Sequence, residues 1–158
     1  METKVMENIY QEIAYNLQSM IPGAWIKIHL YAEVWKGSRQ VYFYFYPDGK
    51  SEPIYSLDII KKYNVDEEAI EELEDNLYDC FTELSEEFSN QNQEKWTNLT
   101  LTIDTTGEFN IDYNYEDLSE VDPYEQQIIW EYKNLGIKTK GKRPQAIIEK
   151  YIVENEKK

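Results

Sequence analysis

One histidine and one cysteine stand among 31 acidic side chains in this chain of 158 residues. A thiol nucleophile needs a base beside it, and an imidazole base needs a group that orients it. His29 shows no Asp-His or Cys-His pairing in sequence, and Cys80 has no His near it. His29 falls in the middle of an alternating segment, on its polar side, and reads as a surface residue. Cys80 lies in the apolar stripe of a helical pattern, where cysteine behaves as a small hydrophobe. The run Asp112-Tyr113-Asn114-Tyr115-Glu116-Asp117 resembles the opening of a calcium loop. It lacks the glycine at position six, and Pro123 stands at position twelve where a bidentate Glu is needed. The six glycines all fall at turns or loops, and no phosphate-cradling GxGxxG or GxxxxGK occurs. Asn98-Leu99-Thr100 matches a glycosylation sequon without a secretory signal before it. Carboxylates are so abundant that no pair stands out for acid–base work. The expectation is a protein that is not an enzyme, with no catalytic residue, cofactor or metal site.

Binding is the other chemistry these residues offer. Fourteen Tyr and four Trp are present, and Trp25, Tyr31, Trp35, Tyr42, Tyr44 and Tyr46 fall on one side of two alternating segments. Either a helix, such as the last one, covers this face, or the face binds a partner, as Tyr and Trp do at interface hot spots. Acids form two groups. Asp112, Glu116, Asp117, Glu120 and Asp122 lie where a strand runs out into a loop, a place where binding residues concentrate. Eleven more lie between Asp66 and Glu87 with no base among them. A run of Glu on a long helix is more often a solvated face, so the first group is the favoured contact, with Tyr42 and Tyr44 as aromatic anchors.

The net charge of −15 argues against gripping bare DNA or an anionic membrane, since both need Lys and Arg on one face. It steers the chain towards basic protein partners instead. No run approaches the ~20 apolar residues of a membrane span. With a single Cys there is no intrachain disulfide, and the amino-terminal residues hold no signal-peptide apolar core. A soluble cytoplasmic protein is expected. Charge is uneven: residues 1–132 carry 28 acids and 8 bases, residues 133–158 carry 3 acids and 8 bases. The basic helical segment from about residue 138 either folds against an acidic body or serves as a tail with its own partner.

The elements that position these residues follow from periodicity. Ile9, Ile13, Leu17 and Met20 recur on one helical face between Val5 and Ile21, and Pro22-Gly23 ends that helix. Ile26, Ile28, Leu30, Ala32 and Val34 then alternate with Trp25, Lys27, His29, Tyr31, Glu33 and Trp35, which is a strand with one face buried. Lys36-Gly37-Ser38 turns into a partner strand with Val41, Phe43 and Phe45 inward, and Ile54–Leu57 reads as a short third strand. Asn64 or Asp66 caps a long acidic helix whose stripe is Ile70, Leu73, Leu77, Cys80, Phe81, Leu84 and Phe88. Leu99, Leu101 and Ile103 belong to one strand of a second hairpin, and Phe109, Ile111, Tyr113 and Tyr115 to the other. Asp122-Pro123 opens a third helix that closes at Leu135-Gly136. Pro144 opens a last one with Ile147, Ile148, Tyr151 and Ile152 on its apolar side. The order α-β-β-β-α-β-β-α-α, with strands in hairpins, predicts an α+β fold. Its antiparallel sheet has about five strands with helices packed on it, in a single domain over residues 1–158.

Several stretches, in this order, resemble the YezG-like family of bacterial immunity proteins. They are Ile9-Tyr10-Gln11-Glu12-Ile13-Ala14, Met20-Ile21-Pro22 with Trp25, and Leu77-Tyr78-Asp79-Cys80-Phe81-Thr82-Glu83-Leu84. Trp96, Gly107-Glu108-Phe109 into Asp112-Tyr113, and Trp130-Glu131-Tyr132-Lys133 with Leu135-Gly136-Ile137 complete the set. The resemblance spans residues 7 to about 140. It implies a cytoplasmic antitoxin that binds the nuclease domain of a cognate toxin, secreted by a type VII system, and blocks it by protein–protein contact. The family brings no catalytic residues and no motif that fixes its toxin contacts. Two other readings stand beside this one. An acidic DNA mimic would occupy a nucleic-acid-binding protein that is not a toxin. A carboxylate-based metal hydrolase would need two or three close carboxylates in a pocket.

Overall fold

The computed structural model describes residues 3–155. The chain divides between Glu116 and Asp117 into two compact units. The first is α+β, with a five-stranded antiparallel sheet.

Helix α1 (Lys4–Met20) starts where Thr3 accepts a hydrogen bond from the Met6 amide. It buries Met6, Ile9, Ile13, Leu17 and Met20, the expected stripe with Met6 added. Strands β1 (Trp25–Trp35) and β2 (Ser38–Pro47) form a hairpin closed at Lys36-Gly37. Both turn residues have positive φ, 44° and 82°, which suits the right-handed twist of the strands they join.

From Lys27 onward the apolar side of β1 is as expected, with Ile28, Leu30 and Ala32 fully buried, but the other side is not solvated throughout, since Tyr31 and Glu33 are buried as well. The alternation breaks at the start. The register slips between Trp25 and Lys27, so an extra residue enters β1 there. Ile26 is therefore exposed, and Trp25 packs against the core in its place.

The third strand is shorter than the sequence suggests. Strand β3 is Ile54–Tyr55 only. The Ser56 hydroxyl accepts from the Phe43 amide and takes over the next ladder position. The chain then curls through a 3-10 turn (Ser56–Asp58) into a four-residue helix α2 (Ile59–Lys62) that buries Ile59 and leaves Leu57 exposed.

Helix α3 (Glu67–Asn90) is capped by Asp66, whose carboxylate accepts from the Glu68 and Ala69 amides. Ile70, Leu77, Cys80, Phe81, Leu84 and Phe88 are buried, and Leu73 is half-buried at the edge of the same core. At about 2 kcal/mol for each fully buried Leu or Phe, this stripe outweighs the repulsion among the helix acids, which is worth only a few tenths of a kcal/mol per pair. Strands β4 (Asn98–Asp104) and β5 (Phe109–Asn114) form the second hairpin. β4 pairs with β1, giving the order β3-β2-β1-β4-β5. Helices α1 and α3 and one face of the sheet enclose a single core.

The second unit is helical. Asp122 caps α4 (Pro123–Leu135), Pro123 is its first residue, and Gly136 ends it at φ +69°. Helix α5 spans Lys142–Asn155. Ile128, Trp130, Pro144 and Ile148 are buried. The Thr139 hydroxyl donates to the Glu131 carboxylate at 2.9 Å.

Candidate partner-binding surface

The residues that might do chemistry are held in ways that do not favour it. Cys80 is 1% exposed on α3. Burial, then Glu12, Glu83 and Asp79, pushes its thiol up to about 12, so almost no thiolate exists near neutral pH. His29 is not the surface residue expected. It is half-buried, and its Nδ1 is buried without a hydrogen-bond partner. Burial, then the Lys27 charge, pulls its pKa down to about 4. A neighbour of aromatic type, Tyr46, lies edge-on with ring centroids 6.0 Å apart. Among the described residues no group of three or more His, Cys, Asp and Glu is placed to hold a metal ion.

The tyrosines expected on the second face of the sheet do come together. Tyr31 stacks on Tyr42 at 5.0 Å, Tyr44 stacks on Tyr55 at 4.9 Å, and Tyr42 meets both Tyr44 and Tyr55 edge-on. Cross-strand pairing sets this up: Tyr31 lies opposite Tyr42, and Tyr44 opposite Tyr55. The Tyr31 hydroxyl donates to the Glu33 carboxylate at 2.8 Å, and Ser38 donates to the other oxygen of Glu33. Burial, reinforced by Glu33, raises the Tyr31 pKa, so the phenol stays protonated and donating. Tyr42 and Tyr44 are only 7% and 3% exposed. Tyr55 joins this cluster although sequence periodicity does not single it out. Its single signal is its place in a segment too short to show alternation.

The acids chosen from sequence are all exposed: Asp112, Glu116, Asp117, Glu120 and Asp122. Asp112 sits on β5 opposite Thr100. The Glu116 carbonyl accepts from Thr97 at 2.9 Å, which fixes the chain just past β5 while its carboxylate stays in solvent. In the helical unit, Asp117 accepts from the Ser119 amide. Asp122 is the most occupied, since it caps α4 and also meets Arg143 at 3.4 Å. Arg143 in turn lies over the Tyr124 ring.

The rival acids of α3 gain a member that the sequence did not suggest. Glu83 has a raised pKa, first from partial burial and then from Glu12, Asp79 and Glu86. Glu12 comes from α1, brought alongside when Asn16 packs over Cys80. Glu74 is raised likewise, by burial, Asp75 and Glu71. Arg39 from β2 brings a positive charge to this face. It meets Asp79 at 3.5 Å and lies over the Tyr78 ring.

Comparison with known proteins bears on what such a surface is for. The family model described as "Immunity protein YezG-like" matches residues 6–149. An immunity protein YezG of Bacillus spizizenii (strain ATCC 23059 / NRRL B-14472 / W23) is 45% identical over 160 aligned positions, covering 100% of this chain and 99% of the relative. Its counterpart in Bacillus subtilis (strain 168) is 45% identical over 149, covering 93% and 99%. A type VII secretion system protein EsaG of Staphylococcus aureus (strain NCTC 8325 / PS 47) is 31% identical over 134, covering 84% and 82%. With the fold in hand, the family match and full-length relatives establish that this chain belongs to the YezG-like immunity proteins.

Proposed function

We propose that the chain neutralises a cognate nuclease toxin in the cytoplasm of the cell that makes it, by binding the toxin's basic nuclease domain rather than by catalysis. Its membership of an immunity family carries this reading, together with the type VII secretion named for the staphylococcal relative. Charge supports the nuclease: a domain that holds DNA presents Lys and Arg around its active site, and a chain of net charge −15 is drawn to that field. The exposed acids Asp112, Glu116, Asp117, Glu120 and Asp122 are the proposed contacts. Tyr42 and Tyr44, expected from sequence as aromatic anchors, are buried and offer the partner little area of their own.

The test pairs this chain with the nuclease domain encoded beside its gene, read as nuclease inhibition and as binding at two salt concentrations. Reversing Glu116, Asp117 and Glu120 to Lys is expected to weaken binding strongly and flatten its salt dependence. Inhibition lost instead on reversing Glu71, Glu72 and Asp75, with the first block silent, moves the site to α3. A neighbouring gene without a nuclease domain, and binding to a DNA-binding protein that is not a toxin, would replace this function with DNA mimicry.

A further inference from the structure

The two edges of the sheet are treated differently. On the outer edge of β2, the Val41 amide donates to the Tyr78 hydroxyl and the Phe43 amide to Ser56, and β3 pairs with Tyr44 and Phe45. That edge is closed by side chains and a two-residue strand. Among the described residues β5 forms the other edge and pairs with β4 alone. The Asp104 amide donates to the Glu108 carbonyl. In antiparallel pairing this makes the even-numbered residues of β5 exchange hydrogen bonds with β4. The N–H and C=O of Phe109 and Ile111 therefore point outward, away from β4. The six residues of β5 include no Pro, Lys or Gly, and the one charge among them is the carboxylate of Asp112.

We propose that this edge receives an extended basic segment of the protein partner, which pairs with β5 as a sixth strand. The inference rests on the immunity reading above and specifies how the partner is held. Main-chain bonds from Phe109 and Ile111 would supply the ladder, and the side chains would supply the choice of partner. Along the exposed row, Asp112 lies on β5, with Glu108 four residues before it and Glu116 four after. At the rise of a strand these acids recur about every 13 Å, a spacing that Lys or Arg at every fourth position of an added strand can meet. The same row disfavours a second copy of this chain, because antiparallel pairing of two β5 edges sets carboxylates against carboxylates.

Amide hydrogen exchange on the full chain, alone and with the neighbour-encoded nuclease domain, tests this without altering the protein. Alone, Phe109 and Ile111 are expected to exchange much faster than Asn110 and Asp112, and in the complex to slow by at least about tenfold. The variant Ile111→Pro removes an outward N–H and leaves the β4 ladder intact. With its folding checked by circular dichroism, it is expected to bind about tenfold more weakly, and Asp112→Lys to weaken binding further at low salt than at high. If no complex forms, the immunity reading itself fails and this inference with it. A tight, inhibitory complex in which Phe109 and Ile111 keep their fast exchange overturns this inference alone. Protection of these amides in the chain by itself, rising with concentration, overturns it in favour of self-pairing.

Discussion

His29 shows how one side chain can be legible in type and misjudged in setting. Alternation places it on the second face of β1, and that is where it lies; burial of its Nδ1 against neighbours from other elements leaves no mark in sequence. The consequence is a pH dependence with a definite sign. Its folded pKa is about 4 against an ordinary 6.5. Between these values the unfolded chain binds a proton that the folded chain refuses, so stability falls as pH drops from about 6.5 towards 4. Glu74 and Glu83, with raised pKa values, act in the opposite sense over part of that range. The difference between the chain and His29→Phe isolates the histidine. Urea unfolding at pH 7.5 and 5 is expected to show the variant losing less stability on acidification; an equal loss would mean that His29 is solvated. Leu77 is the simpler case. It is 1% exposed in the α1–α3–sheet core, and Leu77→Ala is expected to cost about 2–5 kcal/mol in the same assay. Cys80→Ala removes a thiol held protonated, and toxin protection in co-expressing cells is expected to survive it.

At the scale of elements, local signals are legible in the sequence and long-range ones are not. Asp122-Pro123 and Gly136 bound α4 because capping is local chemistry, decided within a few residues. The two hairpins are likewise local. The β1–β4 seam that joins them is not, since its register is set where α1 and α3 cover the sheet. The slip at Trp25–Lys27 needs the β2 strand to exist, and four residues of α2 are too few for any period to show. The protection of β2 by Tyr78 belongs to this class as well, because it joins residues 37 apart. Tyr78→Phe strips the acceptor from the Val41 amide and keeps the ring beneath Arg39. It is expected to cost about 1–2 kcal/mol, the price of a part-buried donor left unpaired. Thermal unfolding against Tyr15→Phe, a change at an exposed tyrosine, checks it; equal melting temperatures would show that water replaces Tyr78 at no cost.

For the whole molecule the dominant quantity is charge. At −15, with acids exposed on α3, on β5 and on the segment up to Asp122, the field acts before any contact forms. Long-range attraction shortens the search for a basic partner, while the short-range ladder and packing at the interface decide how long the complex lasts. The two are separable by salt. Raising ionic strength from about 0.01 M to 1 M contracts the screening length from about 30 Å to about 3 Å. The association rate with the proposed nuclease partner is then expected to fall by at least about tenfold, with a much smaller change in dissociation. Reversal of exposed α3 acids such as Glu71 and Glu72, if they lie outside the contact, lowers the association rate and leaves dissociation alone. Reversal of acids within the contact raises dissociation too. Surface kinetics on both sets of variants therefore distinguishes the field from the footprint. An association rate indifferent to salt would remove electrostatic steering from the account and leave the main-chain ladder along β5 to explain recognition.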